Sequence, residues 1–327
     1  MELNARDHLR LKVLAGLIGC LLYSAAAYFL LDWFLGRGGQ GSGVSVTLTF
    51  LIAVPAALAS FISYASDPEG ERSLIFHLRL CLIPAVAVIV GGLVLQEGVI
   101  CILMLLPIWG LTALVVTVIA YFVRRSARRT GGLRSSPLLL VPLLAAQLEA
   151  MSAVPVSLEQ VDRSIIIDAP PERIWPLLVA VRDIRPDEGR WNITQDVLGV
   201  PRPIQAVIEM RGGKPVRLAQ WGSQIRFEER ISEWTENRSL RWRFAFPDDS
   251  IREHTDRHIA PDGAHLTITD GAYRLTPLAG GRTEVTLETR YELRTPVNPY
   301  ASWWGGWMLG DIQDNILQII KDRAESG

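Results

Sequence analysis

The chain has 327 residues, of which 49% are apolar and 20% charged, and a formal net charge of -1. That length accommodates two domains, and the second half carries no Lys/Arg-rich block with interleaved aromatics, which excludes a nucleic-acid footprint. The three cysteines, Cys20, Cys81 and Cys101, all lie in apolar stretches, so the second half has neither a disulfide framework nor a Cys-based zinc site.

Charge is sparse from Leu11 to Val123 and frequent from Val161 onward, so the two parts call for separate readings. Four runs lack Asp, Glu, Lys and Arg: Val13 to Leu31, Val44 to Tyr64, Leu80 to Leu95 and Val99 to Val123. Each is close to the roughly 20 residues that cross about 30 Å of hydrocarbon, the third being short. Arg79 and His77 at its end are expected to snorkel. No run shows the polar face that a helix of a soluble core would carry. Residues 1–125 therefore read as a transmembrane region of about four helices. The first run is longer than a signal-peptide core and leads into the bulky DWFLGRGG, so it reads as a span.

Basic residues flank the runs unevenly. Arg6, Arg10 and Lys12 precede the first, Arg72 and Arg79 lie between the second and third, and RRSARRTGGLR follows the fourth, against a single Arg37 on the other side. By the positive-inside rule both ends of the four-span unit face the cytoplasm, which implies a multi-pass protein of the plasma (cell inner) membrane with the lipid bilayer as partner. Residues 126–160 form a basic and apolar linker. Within it, Pro137 to Met151 is a marginal fifth span, because Glu149 offsets the gain from its Leu and Val residues; its length suits an interfacial piece better. A fifth span would move the rest of the chain out of the cytoplasm. Pro55, Pro84, Pro107 and the pair Gly91-Gly92 fall inside the runs, but without a mid-membrane ionisable residue they do not mark a transport path.

From Val161 the pattern becomes that of an α+β domain, residues 161–327. Val161 to Asp168 reads as a strand, and APPERIWPLLVAV opens a helix at Pro170-Pro171 that Pro176 keeps short or kinked. Strands follow at Ile204 to Arg211, Val216 to Trp221, Ile225 to Trp234, Leu240 to Phe246, about His265 to Leu275 and Thr283 to Leu293, separated by hairpin turn signals. A long helix from about Tyr300 to Ala324 closes the chain, with Trp304, Met308, Ile312, Ile316 and Ile319 at near-helical spacing. The expected architecture is a curved antiparallel sheet around one helix, with a cavity between them.

The run RSIIIDAPPERIWPLLV is similar to the opening of the START-like (SRPBCC) superfamily, which includes polyketide cyclases and lipid-transfer domains. GGRTEVTLETRYEL, then Tyr300, Trp303, Trp304 and ILQIIKDRAE, resemble the last hairpin and C-terminal helix of membrane-anchored members. The resemblance spans roughly Val161 to Glu325. It implies a helix-grip fold with a deep apolar pocket for a lipid-like, polyketide-like or other hydrophobic small molecule.

Strand parity nominates pocket residues. Val285, Leu287, Thr289, Tyr291 and Leu293 share one face of the last strand, and Leu240, Trp242, Phe244 and Phe246 share one face of an earlier one. The parity that buries Ile225, Phe227 and Ile231 also turns Glu229 inward, where a carboxylate needs a partner. Glu229 would anchor a polar head group or serve as an acid or base; a bulge that returns it to solvent, or an internal pair with an Arg, is the simpler expectation. His254 and His258 are four apart in REHTDRH but have no evident third ligand, so no metal site is expected. No cofactor motif occurs.

The leading expectation is a non-enzymatic, membrane-tethered module whose ligand-binding set is Phe227, Glu229, Trp242, Phe244, Leu287, Thr289 and Tyr291. Trp303, Trp304 and Trp307 would lie near the interface. One alternative is a cyclase- or hydratase-type enzyme with Glu229, Tyr291 or His258 moving protons. Another is a membrane scaffold whose soluble domain binds a protein.

Overall fold

The computed structural model describes residues 18–19, 22–23, 25–27, 29–30, 47–67, 70–94, 99–127, 141–248, 250 and 260–326. They fall into two compact units, Met1–Val154 and Pro155–Gly327.

Among the described residues of the first unit, three helical stretches are long and apolar enough to cross a membrane: Thr49–Ser66, Leu74–Leu93 and Val99–Ser126. The first is a π-helical turn, Thr49–Ala53, running into α1 (Val54–Ser66). The change of register falls next to Pro55, which has no N–H to give to the α ladder. The second comprises α2 (Leu74–Leu80) and α3 (Leu82–Val94), divided at Cys81; Pro84 leaves the carbonyl one turn earlier without its donor. The third, α4 (Val99–Ala127), carries Pro107 inside it. The run expected to be short is therefore not short, since its helix starts at Leu74, upstream of Arg79. Most of Val13 to Leu31, and Val44 to Val46, lie outside the described residues.

Of the linker segment, Val141–Ala150 forms α5. Ten residues of helix reach only about 15 Å, half the hydrocarbon thickness. Glu149 accepts from the backbone N–H groups of Leu48 at 2.6 Å and Thr49 at 2.8 Å. Its carboxylate thus satisfies donors that a helix start leaves open, a role that hydropathy alone does not reveal.

The absence of polar contacts along the apolar helices also needs correction. His77 does not snorkel: it is 1% exposed, with Nδ1 3.1 Å from Ser63 Oγ and Nε2 3.2 Å from Asp67 Oδ2. Arg124 closes the group, donating to the carbonyls of Ser63 and Asp67. The cluster ties together the adjoining ends of α1, α2 and α4.

The second unit is a seven-stranded antiparallel sheet with a long C-terminal helix, a helix-grip-like arrangement. Its strands are β1 (Val156–Ile167), β2 (Pro203–Arg211), β3 (Lys214–Trp221), β4 (Ile225–Thr235), β5 (Ser239–Ala245), β6 (Leu266–Pro277) and β7 (Thr283–Arg294), in the order β1-β7-β6-β5-β4-β3-β2. Consecutive hairpins build it from β2 to β7, and β1 returns beside β7. Gly212-Gly213, the two-residue tip between β2 and β3, has positive φ at both positions, the conformation that such a hairpin requires; Gly280 and Gly281 have positive φ within the longer β6–β7 connection.

Two short helices, α6 (Pro171–Val179) and α7 (Ile193–Asp196), precede β2, and α8 (Asn298–Ser326) ends the chain. Ile174, Trp175 and Leu178 of α6 meet Leu240, Val285, Leu287 and Leu317 in the main apolar core. The stripe expected on α8 holds in part: Ile312 and Ile319 are buried, but so are Leu317, Ile320 and two polar residues, Gln313 and Asn315. Asn315 donates to Gln195 Oε1 at 2.8 Å and accepts from the Arg190 N–H at 2.9 Å, so the amide pins α7 and its loop to α8.

Candidate functional site

Strand register places the inward residues in rows across the concave face. Glu229 on β4 stands opposite Arg217 on β3 and Phe244 on β5; Ile231 stands opposite Trp242, and Trp242 opposite Gly271. Gly271 in turn faces Thr289, which faces Val161 on β1. The bulge near Glu229 falls between Ile231 and Glu233, beyond the point where it would swing Glu229 to solvent.

Arg217 and Glu229 are 5% and 6% exposed, and Arg217 Nη1 donates to Glu229 Oε2. Burial pushes the Glu229 carboxyl up, with Arg217 acting against it. Burial also disfavours the Arg217 charge, but Glu229 and Tyr273 together outweigh this and hold its pKa above the ordinary value. The Arg217 guanidinium carbon lies 5.9 Å from the ring centroid of Tyr273, whose hydroxyl burial pushes up to about 12. From this pair an aromatic wall extends in both directions. Trp242 lies 5.2 Å from Tyr273 and 6.0 Å from Phe244, and Phe227 packs 5.9 Å from Phe244 and 5.7 Å from Trp221. Phe244, Phe246 and Trp221 remain half-buried at one end of the wall.

Among the described residues of this unit, the buried polar side-chain atoms with no hydrogen-bond partner are Arg217 Nε, Trp242 Nε1, Gln313 Oε1, Ser157 Oγ and Trp304 Nε1, the first three in or over the row just described. Buried polar atoms in native structures are almost always satisfied by protein, water or ligand. Donors and an acceptor set in an aromatic wall suit an apolar molecule that carries a few polar groups.

The residues nominated from sequence separate into two groups. Phe227, Glu229, Trp242 and Phe244 come together around Arg217 and Tyr273. Thr289 joins them through Gly271, and its Oγ1 accepts from Gln313 Nε2 at 2.9 Å. Leu287 belongs to the packed core under α6, a cluster that also takes in Trp242 and Tyr273. Tyr291 lies apart, in a cluster with Val161 and Leu293, its hydroxyl donating to the Ser302 carbonyl at 3.4 Å. Its position does not bring it to Glu229, so these two do not form an acid/base pair. His254 and His258 lie outside the described residues, among which no His/Cys/Asp/Glu group could hold a metal. Trp304 is buried, whereas Trp303 is 63% exposed.

Sequence reasoning missed Arg217, Tyr273 and Gln313. Arg217 shares its parity with Ala219 and Trp221, and Tyr273 shares its parity with Gly271 and Leu275, so the alternation that found Trp242 also marks them. Gln313 gave no such signal, because a polar residue in a helical stripe reads as its solvent edge. A separate groove of about 530 Å³, lined in part by Glu233, Arg238, Arg241 and Arg274, lies on the opposite, convex face. There Arg241, Arg274 and Arg290 converge on Glu288, an arrangement that solvates the outer side of the sheet.

No family model matches the chain, and no curated protein is similar to it. Among solved structures, the Zhui aromatase/cyclase of Streptomyces sp. R1128 aligns at 16% identity and a TM-score of 0.32, covering 52% of this chain and 94% of its own. A truncated norcoclaurine synthase from Thalictrum flavum aligns at 10% identity and a TM-score of 0.30, covering 52% and 97%. The di-domain ARO/CYC StfQ from the steffimycin biosynthetic pathway aligns at 12% and 0.33, covering 59% of each chain. Likeness of that degree assigns neither a family nor a ligand, so the fold described above rests on the strand order and register of this chain itself.

Proposed function

We propose that the second unit binds a hydrophobic small molecule against the aromatic concave face of its sheet, with Arg217 and Glu229 holding a polar group of that molecule. The observation that carries this reading is the buried Arg217–Glu229 pair with an unpartnered Nε–H beside it. A buried ion pair contributes little to stability compared with apolar residues of the same volume, so its presence in an aromatic wall is better explained by recognition. The apolar helices of the first unit make the reading a membrane-tethered one, on the plasma (cell inner) membrane. The basic residues that flank those helices support a cytoplasmic N-terminus and a cytoplasmic second unit. Tethering would keep the site near the phase in which such ligands dissolve and raise their local concentration.

The cyclase- or hydratase-type reading needs Glu229 free to exchange a proton, and its engagement by Arg217 weighs against that role. The test is native mass spectrometry and solvent extraction of the full-length protein purified in detergent. A small apolar molecule released in stoichiometric amount, and lost from the double variant Arg217→Met/Glu229→Leu, is the expected result. A wild-type protein that releases nothing and binds no apolar probe would rule the reading out. Conversion of an added substrate that Glu229→Gln abolishes without loss of binding would turn it into the enzymatic one.

A further inference from the structure

Two residues that carry unpartnered buried atoms, Trp242 and Gln313, stand over adjacent register positions. The Trp242 indole lies flat over Gly271: a Cβ on that glycine would sit 2.7 Å from Nε1 and 2.4 Å from Cε2. Gly271 is the direct register partner of Thr289, and the Gln313 amide stands over Thr289, its Nε2 donating to Thr289 Oγ1 at 2.9 Å and to the Val161 carbonyl at 3.0 Å. A carbonyl only accepts, so the contact to Val161 fixes which end of the Gln313 amide is nitrogen. The atom left without a partner is then the amide oxygen. Directly paired strand positions are about 5 Å apart, so the Trp242 indole and the Gln313 amide stand above adjacent places on one row.

One atom is a donor without an acceptor, and the other is an acceptor without a donor. A hydroxyl both gives and takes a hydrogen bond, and two bonds of about 2.8 Å from one oxygen span the separation of adjacent register positions. We propose that Trp242 and Gln313 form a subsite that reads a single hydroxyl group on the hydrophobic ligand, which Trp242 Nε1 supplies with a donor and Gln313 Oε1 with an acceptor. The proposal rests on the ligand-binding reading above and narrows it. A carboxylate or ether oxygen leaves Gln313 unsatisfied, a quaternary ammonium satisfies neither residue, and a methyl leaves both buried groups bare. Gly271 belongs to the same device, because any side chain there would displace the indole.

The experiment uses the full-length protein in detergent and an isosteric pair of probes, 2-naphthol and 2-methylnaphthalene, with affinities measured by titration calorimetry. The wild type is expected to bind 2-naphthol at least tenfold more tightly than 2-methylnaphthalene. Trp242→Phe, which keeps an aromatic ring and removes the N–H, is expected to reduce that ratio severalfold. Gln313→Leu should act in the same direction, with circular dichroism reporting whether the loss of its bonds to Thr289 and Val161 disturbs the fold. Equal affinity of the wild type for both probes would mean that only an ordered water bridges the two atoms and would overturn the proposal. So would a ratio that survives Trp242→Phe intact. If neither probe binds and nothing is extracted, it is the ligand-binding reading that fails, and the hydroxyl subsite fails with it.

Discussion

Arg217 and Glu229 occupy directly opposed positions on neighbouring strands, both more than nine-tenths buried, and are joined by a hydrogen bond from Nη1 to Oε2. Removing one partner strands a charge in the interior, which costs about 3–5 kcal/mol, whereas replacing both by apolar groups of similar volume is often neutral. Arg217→Met and Glu229→Leu should therefore each lower the unfolding free energy of the second unit by several kcal/mol. The double variant should recover most of the loss, and denaturant titration of the full chain followed by tryptophan fluorescence checks it. Additive losses in the double variant would show that the two residues act independently.

Gly271→Ala tests the contact with Trp242. The new methyl would lie 2.4 Å from the indole carbons, so the ring must shift in a packed wall, at a cost of about 1–3 kcal/mol. A lower melting temperature and a changed near-ultraviolet dichroism spectrum are expected. An unchanged spectrum would place the indole elsewhere.

Arg323 of α8 donates to both oxygens of Glu188, at 2.6 Å and 3.0 Å, and also to the carbonyls of Arg182 and Asp183. The hydrogen bond from Arg323 leads the causes that hold the Glu188 carboxyl below its ordinary 4.5. A carboxylate depressed in the folded state binds its proton more readily when unfolded, so its contribution is complete above pH 4.5 and fades as the pH falls through the lowered value. The stability difference between the wild type and Glu188→Gln should accordingly be constant at neutral pH and shrink below 4.5. A difference that grows on acidification would reverse the assignment.

Glu149 holds the start of the helix at Thr49 through two backbone N–H groups. Glu149→Ala should open that turn, with a cost of about 1 kcal/mol typical of a lost cap. Faster amide exchange at Leu48 and Thr49 in detergent micelles is the expected signature. Exchange rates equal to those of the wild type would mean that water serves these donors as well as the carboxylate does.

Much of the second unit could be read before its structure was known, because hairpin turns and period-two alternation are local signals. Six of the seven strands lie within two residues of the bounds that the alternation gives, whereas β1 begins at Val156, five residues before the expected Val161; the inward turn of Glu229 follows from parity with Phe227. What parity could not supply was the partner across the strands. Arg217 lies on a strand in which both Val216 and Arg217 are buried, so the alternation there is blurred. Gln313 illustrates the other limit: its burial depends on a carbonyl of β1, 152 residues away in sequence. In the first unit, composition located the apolar helices but hid the cluster of Ser63, Asp67, His77 and Arg124, whose members come from three separate segments. Each looks like a flank when read alone.

The opening strand of the sheet pairs with the strand translated last: β1 lies beside β7 and, among the described residues, beside no other. A ribosome therefore delivers a strand that stays unmatched until β7 has emerged. Nascent chains that stall before Thr283 would carry β1 without its mate, a form suited to capture by chaperones and proteases.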